Sequence, residues 1–74
     1  MKYLVLEIQK NAEGAVATLV TAYDDLPHAE AGFYSLLAVC ALSSLPKHGA
    51  ILMDENGVSY EAKMYKRESA NVEG

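Results

Sequence analysis

Three groups of residues in this chain have types and spacings that chemistry can use. Asp24, Asp25 and His28 offer two carboxylates and an imidazole at a chain turn, a donor set that suits a divalent metal. Lys47-His48-Gly49 sets a flexible cation and an imidazole beside a glycine, a combination that suits an anion such as phosphate. Lys63, Tyr65 and Arg67 recur at every second position, so on an extended strand they share one face. Two cations flanking an aromatic ring can stack a base and pair with a phosphate.

Each group also has an ordinary reading. Asp25 reads as the N-cap of a helix, Asp24 as a solvated turn residue and His28 as part of an exposed first turn. No further metal ligands cluster in the sequence, so no metal site is expected. Lys47 and His48 read as a polar loop. Lys63, Tyr65 and Arg67 read as a solvated strand face, or as edge charges that block unwanted pairing. Cys40 sits among apolar residues with nothing nearby in sequence to lower its pKa, so it reads as a small buried hydrophobe. Ser35, Ser43 and Ser44 belong to no nucleophile motif, and there is no phosphate-cradling glycine loop. The expectation is a non-enzyme without cofactor. Any ligand would fall to Lys47, His48, Lys63, Tyr65 and Arg67.

The elements that must position these residues follow from periodicity. Residues 3–9 alternate, with Leu4, Leu6 and Ile8 on one side and Tyr3, Val5, Glu7 and Gln9 on the other, which predicts a strand. A polar stretch ending in Gly14 predicts a hairpin loop, and residues 16–23 a second strand with two similarly apolar faces. Asp25 and Pro27 open a helix running to about residue 44, where Leu45-Pro46 ends it. Residues 47–49 are expected as a loop and 50–53 as a short third strand. Asn56-Gly57 marks a second hairpin, and residues 58–67 a last strand. In that strand Val58, Tyr60, Ala62 and Met64 are assigned to the core, and Ser59, Glu61, Lys63, Tyr65 and Arg67 to the outside. Residues 68–74 read as a frayed tail, leaving 1–67 as a single α+β domain of ββαββ order, four strands in one sheet with one helix on a face. The expected strand order pairs the hairpins through the first and third strands, antiparallel.

The helix is the unusual element. Phe33, Leu36, Leu37 and Cys40 form the stripe that one sheet requires, yet Ala31, Tyr34, Ala38, Val39 and Leu42 carry apolar surface around much of the rest. Small residues such as Gly32 and Ser35 would permit close approach of another helix. The second face of the helix, or of the sheet (Tyr3, Val5 and Tyr65), is therefore expected to meet another subunit. The helix surface assigned to that interface is Ala31, Tyr34, Ser35, Ala38, Val39 and Leu42.

Bulk properties point the same way. Seventy-four residues, 51% of them hydrophobic, make one folding domain with a marginal core of its own. One cysteine forbids an internal disulfide, and oligomerisation is the remaining aid to stability. A net charge of −4 argues against general nucleic-acid binding while leaving room for a local basic site, since Lys63, Lys66 and Arg67 are half of the six cations. A lone thiol, and an N-terminal apolar run too short for a signal-peptide core, predict a cytoplasmic protein without a membrane partner.

Met1-Lys2-Tyr3-Leu4-Val5-Leu6-Glu7-Ile8-Gln9, Ala22-Tyr23-Asp24-Asp25, Ala29-Glu30-Ala31 and Ser43-Ser44-Leu45-Pro46-Lys47-His48 together resemble a group of short uncharacterised proteins encoded by phages and prophages of gut Firmicutes. The resemblance spans most of the chain and brings no activity or functional residues with it. It implies a phage accessory protein, a class in which small oligomers that block host defences are common. The functional expectation is a homo-oligomeric binding protein. It would occupy a host protein or a small nucleotide signal held between subunits, with a structural or assembly protein of the phage particle as the alternative. A small hydrolase assembled at a subunit interface ranks below both.

Overall fold

A computed structural model describes residues 1–67; the expected frayed tail, residues 68–74, lies outside them. Five elements follow in the order β1 (Tyr3–Lys10), β2 (Val16–Tyr23), α1 (Leu26–Leu42), β3 (Lys47–Asp54) and β4 (Ser59–Lys66). The strands form one antiparallel sheet in the order β2-β1-β3-β4, and α1 lies against one side of it. The fold is the expected α+β ββαββ arrangement, with the hairpins joined through β1 and β3.

The two hairpin loops share one construction. In each, an Asx residue receives two backbone N–H groups on its side chain and a glycine follows three positions later with positive φ. Asn11 Oδ1 accepts from Glu13 and Ala15, and Gly14 has φ 91°. Asp54 Oδ1 accepts from Asn56 and Val58, and Gly57 has φ 87°. Backbone bonds match as well: Gly14 N–H to Asn11 O and Asn11 N–H to Ala15 O, against Gly57 N–H to Asp54 O and Asp54 N–H to Val58 O, all at 3.0 Å. These are three-residue loops with a left-handed glycine. Asn56-Gly57 is thus not a two-residue turn; the aspartate before it closes the loop.

α1 begins where the capping chemistry requires. Asp25 is extended (φ −141°, ψ 158°) and its carboxylate accepts the His28 N–H at 2.8 Å, while Pro27 occupies the first turn. The helix stops at Leu42, two residues before the expected end. Ser43 N–H returns to Cys40 O, and Ser43 Oγ accepts from Leu45 N–H at 3.2 Å. Ala29, Phe33 and Cys40 are buried, and Leu26, Leu36 and Leu37 pack beside them.

The sheet side that α1 covers differs from the expectation. Val5, Ala50 and Leu52 form the core with Ala29 and Phe33, and Tyr3 and Tyr23 pack against it. Tyr3, Val5 and Tyr65 therefore belong to the helix side, and Leu4, Leu6 and Ile8 to the open side. β4 is reversed in the same sense: Lys63 and Tyr65 stand opposite the buried Ala50 and His48, whereas Ala62 and Met64 stand opposite Ile51 and Gly49. An irregularity at Leu52/Met53 breaks the register, and Tyr60 reaches the helix side to bond Asp54. The reason is polar satisfaction. His48 and Asp54 are buried on the helix side, where Glu7 and Tyr60 partner them. Lys47-His48-Gly49 is strand and not loop for the same reason. Gly32, offered as a helix-contact residue, lies against the ring of Tyr23, where a Cβ would meet the hydroxyl.

Candidate functional site

The five candidate ligand residues do not converge. His48 is buried, and its Nε2 lies 2.5 Å from Glu7 Oε2. Lys63 and Arg67 both sit over the Tyr65 ring, at 5.2 Å and 5.6 Å from its centroid. The Arg67 guanidinium donates to Ala41 O at 2.5 Å, and its backbone N–H to Pro46 O at 2.6 Å. Arg67 thus satisfies a carbonyl that the last helical turn leaves open and ties β4 to α1. Lys47 lies on the opposite side of the sheet. The structure brings Lys63, Tyr65 and Arg67 together, separates Lys47 from them, and commits His48 to the core.

Two carboxylates organise the buried polar groups. The hydrogen bond from His48 holds the Glu7 carboxyl below the usual carboxylate range, with Gln9 Nε2 donating to the same oxygen at 2.7 Å. His48 Nδ1 is buried without a hydrogen-bond partner among the described residues. Asp54 is held low by the Tyr60 hydroxyl at 2.7 Å and by the N–H groups of its loop, and it pushes the Tyr60 phenol up to about 12. Burial, with the Glu7 charge second, pushes the Cys40 thiol up, which is the behaviour of a packed residue and not of a nucleophile. The aspartates at the helix start are also engaged. Lys2 pairs with Asp24, and His28 Nδ1 lies 2.7 Å from Asp25. Among the described residues no group of three or more His, Cys, Asp or Glu side chains is arranged to hold a metal ion.

A further feature is the side of the sheet that α1 leaves open. Strand parity puts Leu4, Leu6 and Ile8 of β1, Val16, Val20 and Ala22 of β2, Ile51 and Met53 of β3, and Ala62 and Met64 of β4 on it. A shallow depression of about 340 Å³ is lined there by Ile8, Ile51, Ala62 and Met64, with Ala50 and Lys63 contributing to its wall. Ile8 and Met64 are the register partners of Gly49, where a Cβ would come 2.2 Å from the Lys63 carbonyl oxygen. At one end, Lys10, Lys47 and Lys66 stand opposite one another on adjacent strands. This row was invisible in the sequence, because three distant lysines meet only through the register; Lys10 and Lys47 each have further interactions.

The six residues assigned to a helix interface, Ala31, Tyr34, Ser35, Ala38, Val39 and Leu42, are all exposed, Leu42 at 90%. Of these, Tyr34 is tied down, its hydroxyl donating to Glu61. Among the described residues no helix is long and apolar enough to cross a membrane. Comparison with protein-family models, curated proteins and solved structures found no match.

Proposed function

We propose that this chain is a non-catalytic, homo-oligomeric binding protein that acts by occupying its target. One observation carries the reading. A sheet with a helix on one side presents a second, largely apolar side with no layer of the described residues over it. Contiguous apolar surface rimmed by charge is characteristic of protein contact, and here lysines rim it at one end. The resemblance to phage and prophage proteins supports a host protein of a defence system as the target. A protein target is better supported than a nucleotide signal, because the Tyr65 ring already carries two cations and His48 is committed to Glu7. The buried thiol and the paired Asp24, Asp25 and His28 give no support to a hydrolase.

A second reading, a structural protein of the phage particle, has its own support. The exposed helix stripe and the open sheet lie on opposite sides of the chain, and a heterologous contact between them would propagate without closing. Light scattering after gel filtration at micromolar concentration tests both readings. A closed oligomer of fixed mass supports the binding protein. Mass that grows with concentration supports the assembly protein. A monomer overturns both.

A further inference from the structure

Resting on that oligomeric reading, we propose that β2 is the contact through which two copies join, its outer edge pairing antiparallel with the same edge of a second chain. The sheet order leaves β2 and β4 as edges, and the two are built differently. β4 carries Glu61, Lys63 and Lys66 and is opposite the irregularity at Leu52/Met53, features that protect an edge from adventitious pairing. β2 reads Val-Ala-Thr-Leu-Val-Thr-Ala-Tyr: eight residues without a charge, a proline or a break in register. Seven of the eight are exposed, Leu19 at 60% and Val20 at 59%. Its outer row of N–H and C=O groups faces no strand among the described residues.

The occupant that fits this edge is a second copy. Two-fold antiparallel pairing sets each residue of a strand opposite a residue of the same strand, so a charged edge meets like charge in some registers and an uncharged edge in none. At the helix end of β2, Asp24 is paired with Lys2 and Asp25 accepts hydrogen bonds from His28. Pairing here would make one eight-stranded sheet. Val16, Val20 and Ala22 of both copies would then join the two open apolar sides into a single surface twice as wide for the target. The edge thus supplies the dimer and the face stays free to bind.

The test uses the full-length chain, with Leu19→Lys and Leu19→Lys/Val20→Lys as edge variants and Leu42→Lys on the exposed helix stripe as control. Light scattering gives the mass, and amide hydrogen exchange gives protection along β2. Wild type and Leu42→Lys are expected as dimers with β2 amides protected. The edge variants are expected as monomers whose β2 protection falls while that of Leu52 and Phe33 persists, which separates dissociation from unfolding. A wild-type dimer that survives both edge variants overturns the edge assignment and leaves the binding reading standing. A wild-type monomer overturns both. If the edge variants lose protection throughout, concentration-dependent protection of β2 in the wild type decides: its presence supports the edge and its absence overturns it.

Discussion

His48 entered as a candidate ligand residue and is, in the structure, part of a buried hydrogen-bonded pair with Glu7. A histidine next to a lysine and a glycine looks the same in sequence whether it faces solvent or core. Only the register, which sets His48 beside Gln9 and Tyr65, reveals which. The pair has a pH signature. Because His48 lowers the Glu7 pKa in the folded state, its stabilisation is complete above the ordinary value near 4.5 and is lost as pH falls through the lowered one. Glu7→Gln is therefore expected to be less stable at neutral pH and to show a shallower loss of stability on the acid side of about pH 4.5. Urea titrations at several pH values check this, and parallel acid limbs in variant and wild type would contradict it. Gly49, read from the sequence as part of a loop, is instead a close-approach residue within β3. Gly49→Ala places a Cβ against the Lys63 carbonyl, which cannot swing aside as a side-chain end can, so a loss of about 1–3 kcal/mol is expected by urea denaturation.

At the scale of elements the sequence was most informative where chemistry is local. Asp25 and Pro27 placed the helix start, and Leu45-Pro46 placed its end to within two residues. Asp25→Ala removes the acceptor for the His28 N–H and is expected to cost about 0.5–2 kcal/mol, read as a lower midpoint in the same denaturant, with Asp25→Asn retaining most of it. An unchanged midpoint in the alanine variant would show that the cap is dispensable. Strand faces were not legible in the same way. In β1 alternation makes Leu4, Leu6 and Ile8 the purely apolar side, yet the mixed side of Tyr3, Val5, Glu7 and Gln9 meets the helix, where Glu7 and Tyr60 partner the buried His48 and Asp54 of β3. The alternation of β4 is clean but points the wrong way for Ala62 to Tyr65, and a register break that no residue type announces brings Tyr60 to the helix side. Lys63, Tyr65 and Arg67 were correctly grouped by their spacing, but their arrangement is cations over a ring plus a bond to the helix end. A loose cluster in sequence became a strut between two elements.

For the molecule as a whole, the excess of apolar residues on the helix has a counterpart on the open side of the sheet. α1 buries one side; Leu4, Leu6, Ile8, Ile51 and Met64 wait on the other, beside an uncharged edge strand. A small domain of this kind has little core to spare, so an uncovered apolar side is better explained by a partner than by tolerance. Self-association through β2 would close the exposed edge, and the widened open side would remain for a target. The claim stands on the mass of the chain in solution. Light scattering on the purified full-length protein at micromolar concentration is expected to give twice the 8.0 kDa chain mass; a particle of 8.0 kDa, unchanged as concentration rises, would contradict it.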